Sequence, residues 1–256
     1  MKRKMGKMGG RRHLTRFAAP AFWPILRKEY HWVVKPSPGP HPLERSLPLL
    51  IIVREILGLA KTSREARKII AEGHIKVDGR VRRNYKYPVG LMDVLEITKL
   101  NKWFRVIPYP VKFFKLHEIS KDEAKYKLVR IENKTTVKGG HIQLNLHDGR
   151  NILIRVSDPT NPEEDVYETF DTLKITVPEQ EIIGHYRFEE GAVAIVIDGR
   201  NVGRVGRIVG ITKMMKKRMN IVTLEDKDGN RFQTIQDYIF VIGKENPEIS
   251  LPEGAW

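Results

Sequence analysis

The sequence predicts a multidomain α+β protein, and three observations support this fold class. Residues 1–42 carry ten Lys or Arg and one acidic residue, and residues 35–42 contain four prolines that oppose a helix. Residues 47–73 show helical periodicity and capping signals. From residue 75 onward, short β-branched runs alternate with Asp-Gly and Gly-Gly turns, a pattern typical of antiparallel strands.

The 256 residues are enough for two to three small domains with an extension. Shifts in charge and in periodicity predict five segments. They are a basic N-terminal extension (1–42), a helix–helix–hairpin module (43–108), a central β-rich domain (109–178), a small C-terminal β-barrel (179–243) and a tail (244–256).

The charge is concentrated near the N-terminus. Of the net charge of +15, residues 1–42 contribute +9 and residues 43–108 contribute +7. Such asymmetry indicates a polyanionic partner, because each cation that meets a phosphate releases a condensed counterion. The absence of cysteine excludes disulfides, thiolate metal sites and thiol nucleophiles. No apolar run approaches the ~20 residues that span a bilayer, so we expect no membrane partner.

The N-terminal extension interleaves aromatic and basic residues, among them Phe17, Phe22, Trp23, Tyr30 and Trp32. Aromatic rings among cations stack on bases in many RNA-binding proteins, whereas the same rings also anchor an extension onto its own globular body. Both interpretations stay open at this stage. The cations of the extension are candidate RNA contacts: Lys2, Arg3, Lys4, Lys7, Arg11, Arg12, Arg16, Arg27 and Lys28.

Two helices are predicted in the module. An apolar stripe that begins at Leu47 and ends at Leu57 outlines the first. The second starts after Thr62, because Glu65 three residues later completes a capping-box signal, and Gly73 ends it. One face of this second helix is basic, since its cations are spaced by three and four positions: Arg64, Arg67 and Lys68.

Strands account for the rest of the predicted structure. A tight hairpin turns at Asp78-Gly79, and a strand at 93–97 follows it. Further strands are predicted at 126–131, 135–137, 141–146, 151–156, 171–177, 191–197, 208–212, 220–225 and 231–235. His141 and His147 lie on one strand face but nearly 20 Å apart, too far for one metal ion.

The glycine-rich stretch GRNVGRVG at 199–206 lacks the Lys-Ser/Thr of a phosphate-binding P-loop and the G-x-G-x-x-G spacing. Strands flank it on both sides, so the glycines fit sharp bends or close backbone approaches in a small barrel. Gly203 in particular is predicted to have a positive φ or to lie against another backbone.

The stretch LGLAKTSREARKIIAEGHIKVDGRVRR, with PVGLMDVLEI behind it, closely resembles the RNA-binding module of ribosomal protein four. That family places the second helix and the hairpin against structured RNA. The resemblance implies these contacts by position: Arg64, Arg67, Lys68, His74, Lys76 and Arg80. Arg82 and Arg83 match the family in composition only.

The segment 191–235 resembles the KOW motif, a small β-barrel element of ribosomal proteins and transcription-elongation factors. This resemblance implies RNA contacts from Arg200, Asn201 and Arg204, and the basic loop beyond adds Lys216 and Lys217.

The whole chain from residue 13 to about residue 243 resembles the small-subunit ribosomal protein four of the eukaryotic and archaeal type. The stretches HLTRFAAPAFWPILRKEY, KPSPGPHPLERSLPL and KGGHIQLNLHDGRN carry this resemblance together with the two modules. It implies a structural constituent of the cytoplasmic small ribosomal subunit, with small-subunit rRNA and neighbouring ribosomal proteins as partners. We expect no catalytic residue, cofactor, metal or small-molecule substrate.

Two alternatives reuse the same modules. An RNA-modifying enzyme would need a convergent catalytic site, and the β-rich segments offer only loop carboxylates, at Asp148, Asp158 and Asp171. A translation-control or transcription-elongation factor could be built on the KOW-type barrel.

Overall fold

The computed structural model describes residues 13–110, 113–158, 163–214 and 219–252, and antiparallel strands dominate it. In chain order the strands are β1 (Leu14–Thr15), β2 (Trp32–Val33), β3 (Ser46–Pro48), β4 (Ile75–Val77), β5 (Arg80–Val81), β6 (Pro88–Gly90), β7 (Val94–Ile97), β8 (Lys102–Tyr109), β9 (Phe113–Ile119), β10 (Tyr126–Thr136), β11 (Ile142–Leu146), β12 (Asn151–Ile154), β13 (Thr172–Thr176), β14 (Ile182–Tyr186), β15 (Val193–Val196), β16 (Val205–Thr212), β17 (Ile221–Glu225), β18 (Arg231–Ile235) and β19 (Ile239–Gly243).

Helices are few and short in the described residues. They are α1 (Leu49–Ile51), which continues as a π-helical stretch (Ile52–Ile56), α2 (Ser63–Ala71), and the 3₁₀ turns Arg16–Ala18, Leu43–Arg45, Thr98–Leu100, Glu123–Lys125 and Gln236–Tyr238. The first predicted helix therefore starts two residues late, because Leu47 pairs with Val89 in β3–β6 instead. Among the described residues, no helix combines the length and the apolar character that are needed to span a membrane.

The module's sheet has the order β5-β4-β7-β8-β9 and extends past the predicted boundary at residue 108. β8 continues from Trp103 to Tyr109, and β9 returns along it to pair Ile119 with Trp103. Buried Val106 and Ile107 in β8 join the same core as the module's helices. Residues up to 119 therefore belong structurally with the module.

The central sheet has the order β12-β11-β10-β13-β14. The two strands predicted at 126–131 and 135–137 are one 11-residue strand, β10, whose register shifts between Ile131 and Asn133. The bulge explains the interruption in the alternation of the sequence. β14 pairs with β13, so the central sheet extends beyond the predicted boundary at residue 178. The sequence analysis predicted no strand at this position.

The C-terminal sheet has the order β18-β17-β16-β15-β19. Gly203 lies in the turn between β15 and β16 with φ +81. A Cβ there would lie 2.5 Å from Cδ of Pro110 and 3.0 Å from Cα of Tyr109, so the turn packs against the end of β8. Both features predicted for Gly203 are confirmed.

One apolar core runs through all five predicted segments. It contains Leu14 from the extension, Leu50 from the module, Leu128 from the central part, Ile195 from the C-terminal sheet and Ile249 from the tail. The tail therefore packs as part of the body, and this largest core is shared by all five segments. Two smaller cores lie within the central and C-terminal sheets.

A buried ionic cluster joins the module to the central sheet. The Lys127 ammonium lies 3.0 Å from Asp78, 2.5 Å from Asp93 and 2.9 Å from Asp148, and all four side chains are almost fully buried. Asp78 is the turn residue of the β4–β5 hairpin, and it also accepts a hydrogen bond from the backbone N–H of Val94 at 3.0 Å. The cluster fixes the hairpin against the protein body.

Two further basic side chains, Arg150 and His41, complete the cluster. Arg150 contacts Asp78 at 2.6 Å, and His41 from the extension contacts Asp93 at 3.0 Å. Burial by itself raises the pKa of the Asp93 carboxyl, but the charges of His41 and Lys127 outweigh it and hold that pKa well below its usual range. Asp93 therefore stays ionised in the interior.

Candidate RNA-binding surface

The ends of α2 are defined as the sequence predicts. Thr62 accepts a hydrogen bond from the Glu65 backbone N–H at 3.3 Å, and the Glu65 carboxylate accepts one from the Thr62 N–H at 3.2 Å. Gly73 follows the helix at φ +82. Because Ala66 and Ile70 are fully buried, one face of the helix is fixed on the core and the opposite face points to solvent.

That opposite face carries Arg64, Arg67 and Lys68, all exposed as predicted. The guanidinium of Arg67 lies over the ring of Tyr85, 4.6 Å from its centroid, and Lys86 approaches the same ring at 5.6 Å. The sequence reasoning missed Tyr85 and Lys86. The stretch NYKYP was the available signal, since it places aromatic and basic residues directly after the hairpin.

The hairpin adds cations beside α2. Arg80 and Arg83 are exposed. Arg83 lies against the end of α2, since a Cβ on Gly73 would be 3.4 Å from its Nε. Arg82 is half-buried, with its guanidinium 4.4 Å from the ring centroid of Tyr87. Arg82 therefore packs on the module, whereas Arg80 and Arg83 extend the basic surface.

Two candidates of the module are engaged in ion pairs. His74 contacts Glu72 at 3.1 Å, and Lys76 contacts Glu96 at 2.9 Å across the β4–β7 pair. A phosphate that approached either side chain would compete with a carboxylate already present. These two positions are accordingly weaker candidates than the basic face of α2.

The position of Arg16 differs from the one expected for an RNA contact of the extension. Its side chain is buried and donates to the backbone carbonyls of Ile25 at 2.8 Å and Trp23 at 3.4 Å, so it holds the loop that follows instead of facing a partner. Arg27 and Lys28 in that loop are exposed. The remaining candidates lie outside the described residues: Lys2, Arg3, Lys4, Lys7, Arg11, Arg12, Lys216 and Lys217.

The aromatic residues of the extension include buried and exposed side chains. Trp23 is 2 % exposed, and its indole N–H donates to the Ser46 carbonyl at 3.0 Å, so it anchors the extension to the module. Trp32 and Phe17 remain 60 % and 76 % exposed. Packing explains the first tryptophan, and the second is available to a partner.

The glycine-rich turn of the C-terminal sheet presents mainly Arg200, which is exposed. Asn201 donates to a backbone carbonyl in β18 at 3.2 Å. Arg204 lies 4.2 Å from the ring centroid of Phe232 and 3.4 Å from Asp226. The last two side chains thus have structural partners within the sheet.

Two of the three loop carboxylates that an enzyme could use, Asp148 and Asp171, are engaged by neighbouring groups, and the third, Asp158, is exposed. Asp148 is buried against Lys127, and although burial raises the pKa of a carboxyl group, this cation and its neighbours lower the pKa of Asp148 to about 2. Asp171 contacts His185 at 2.7 Å and accepts from the Phe188 N–H at 2.9 Å. Among the described side chains no group of His, Asp and Glu has the arrangement to hold a metal ion.

Comparison with known proteins identifies the family. Family models match three consecutive regions: the RS4NT (NUC023) domain at residues 8–44, the S4 domain at residues 47–95, and ribosomal family S4e at residues 100–182. The small ribosomal subunit protein eS4 of Staphylothermus marinus is 67 % identical over 252 residues, covering 98 % of this chain and 100 % of that protein. The chain belongs to the eS4 family of small ribosomal subunit proteins.

More distant members agree with this assignment. The eS4 protein of Methanocaldococcus jannaschii is 51 % identical and covers 96 % of this chain and 100 % of that protein. The crystal structure of the 30S ribosomal protein S4e from Thermoplasma acidophilum superposes with a TM-score of 0.65 at 32 % identity, covering 78 % of this chain and 96 % of that one. The eS4 family consists of ribosomal structural proteins and not of enzymes, so the RNA-modifying alternative is excluded.

Proposed function

We propose that the chain binds small-subunit rRNA through the basic face of α2 and the adjoining β4–β5 hairpin, as a structural constituent of the small subunit of the cytoplasmic ribosome. The observation that carries this proposal is a group of exposed cations on one side of the module. They are Arg64, Arg67, Lys68, Arg80 and Arg83. Unlike His74 and Lys76, these five form no ion pair with a carboxylate of the described residues.

The unpaired state of these cations favours a phosphate backbone as their ligand. A phosphate contact here releases counterions without first breaking a protein ion pair. The buried cluster around Lys127 holds the hairpin rigidly, so the cations on α2 and on the hairpin keep a fixed separation. A fixed array of charges suits folded RNA, whose phosphates also have fixed spacing.

For the rest of the chain we propose the domain order expected from the sequence, with the module extended to β9 and the central sheet extended to β14. The C-terminal sheet, with its glycine turn at Gly203, is proposed as a KOW-type barrel that offers Arg200 as a second contact. The exposed residues Arg27 and Lys28 would add contacts from the extension. Neighbouring small-subunit proteins are the proposed protein partners.

A triple substitution tests the proposal: Arg64→Gln, Arg67→Gln and Lys68→Gln in the full chain. Affinity for small-subunit rRNA should fall, and the slope of log K against log salt should flatten by about 0.7 to 0.9 for each lost phosphate contact. A matched control replaces three exposed lysines elsewhere with glutamine, namely Lys102, Lys121 and Lys125. The control should keep most of the affinity.

Thermal unfolding decides between a binding and a structural role. The triple variant should melt close to the wild type, because exposed charges seldom contribute more than about 1 kcal/mol to folding. A collapsed melting temperature with unchanged RNA affinity would contradict the proposal. Sedimentation at high salt separates a ribosomal constituent, which stays on the small subunit, from a translation-control factor, which washes off.

A further inference from the structure

The N-terminal extension contains a cavity that the module's RNA-binding face does not use. Its volume is about 510 Å³, within the range of small-ligand clefts. The cavity lies beside the β1–β2 pair and is lined by His13, Thr15, Trp32, Lys35 and Leu43 among others. An indole and a cation are therefore both part of its lining.

The Trp32 side chain is held in place without being covered. Trp32 pairs with Thr15 in the β1–β2 register, and the next residue pair is tied by the Arg16 N–H, which donates to the His31 carbonyl at 3.0 Å. The His31 ring meets the indole edge-to-face at 4.6 Å, and the His13 ring is tilted by 59° at 5.6 Å. Neither imidazole stacks parallel on the indole, which is 60 % exposed.

The charge around the cavity is positive. Lys35 is part of the lining, and no Asp or Glu is among the lining residues in the described part of the chain. An anionic ligand with a planar aromatic part is complementary to this combination.

We propose that this cavity takes one unpaired base of the small-subunit rRNA, stacked on Trp32. The proposal rests on the proposed rRNA binding but assigns a different chemistry to a second site. Stacking on an indole is tolerant of base identity and neutralises no phosphate. The α2 face, by contrast, binds through charge alone.

The difference in chemistry gives a separable test on the full chain with small-subunit rRNA. Trp32→Leu should lower the affinity by about 5-fold to about 150-fold, the range that loss of one base–aromatic stack produces. The salt slope should not change, because no counterion-releasing contact is lost. Trp32→Phe should restore most of the affinity, since a phenyl ring also stacks. Phe17→Leu is the matched control, since Phe17 is exposed in the same extension but is not part of the cavity lining.

Ultraviolet crosslinking of the wild-type complex, read out by peptide mapping, provides a measurement that needs no variant. A crosslink within residues 13–35 supports the proposal, and crosslinks confined to other segments overturn it. An unchanged rRNA affinity of Trp32→Leu also overturns the proposal. Altered sedimentation of the variant without RNA overturns it too, because the cavity would then bind a second copy of the chain. Failure of the wild type to bind rRNA at all would instead overturn the proposed function and this inference together.

Discussion

Removing the central cation of the buried cluster should destabilise the protein strongly. Lys127→Met leaves Asp78, Asp93 and Asp148 in place but deletes the ammonium that contacts all three within 3.0 Å. Breaking a buried ion pair by removing one partner costs about 3 to 5 kcal/mol. For a chain of this size, where each kcal/mol shifts the melting temperature by roughly 2 to 4 °C, we expect a drop of about 6 to 20 °C.

The remaining partners of the three carboxylates limit the loss of folding stability. Arg150 still contacts Asp78 and lies 3.2 Å from Asp148, and His41 still contacts Asp93. The drop should therefore fall toward the lower part of the range at neutral pH. Scanning calorimetry on the full chain measures it. Lys125→Met is the matched control, because Lys125 makes the same type of contact at the surface, with the exposed Asp122, and its loss should leave the melting temperature close to the wild type.

The pH dependence provides a sharper check. In the wild type the pKa of Asp148 is about 2, so its contribution to stability is complete above the unfolded value near 4 and is lost as the pH falls through 2. Without Lys127, burial dominates and favours the protonated carboxyl, so the variant loses stability as the pH rises. The gap between the two melting temperatures should therefore shrink as the pH falls from 7 to about 4. A gap that stays constant across this interval would refute the assignment of the loss to unpaired carboxylates.

Two further substitutions test structural roles. Gly203→Val should destabilise the protein by about 1 to 3 kcal/mol because of the positive φ alone, and the contact with Pro110 should add to this loss. Gly210→Val is the control and should cost less, because a Cβ at Gly210 meets nothing within 4 Å. Equal urea midpoints for the two variants would contradict this prediction. Arg16→Gln should lower the melting temperature without changing the salt slope of RNA binding, because Arg16 bonds to the backbone of its own loop, including the Trp23 carbonyl. A flattened slope would show that Arg16 contacts phosphate after all.

The elements that could be predicted from the sequence are those encoded by neighbouring residues. The α2 start depends on Thr62 and Glu65, three positions apart, and the hairpin turn depends on the adjacent pair Asp78-Gly79. The basic face of α2 follows from helical spacing alone. For these elements local chemistry and the final fold agree, so the pattern was sufficient.

The buried charges could not be predicted in the same way. Asp78 and Lys127 are 49 positions apart, and Asp78 and Arg150 are 72 apart, so nothing near either residue indicates a partner. Arg16 had the same difficulty, since a cation in a cationic segment gives no sign that it packs inward on carbonyl groups. β8 and β9 were missed for another reason, because β8 takes its register from β7 and β9 takes its register from β8, and only the folded sheet defines these registers.

The single core also has a consequence for synthesis. Leu14 and Trp23 pack in the same interior as Ile249, so this interior is complete only when residues about 230 positions apart have both been made. At about 5 to 20 residues per second, roughly 12 to 46 s separate the emergence of the extension from that of Ile249. During this interval the growing chain presents the cations of the extension to cellular RNA while the core that includes Leu14 is still incomplete.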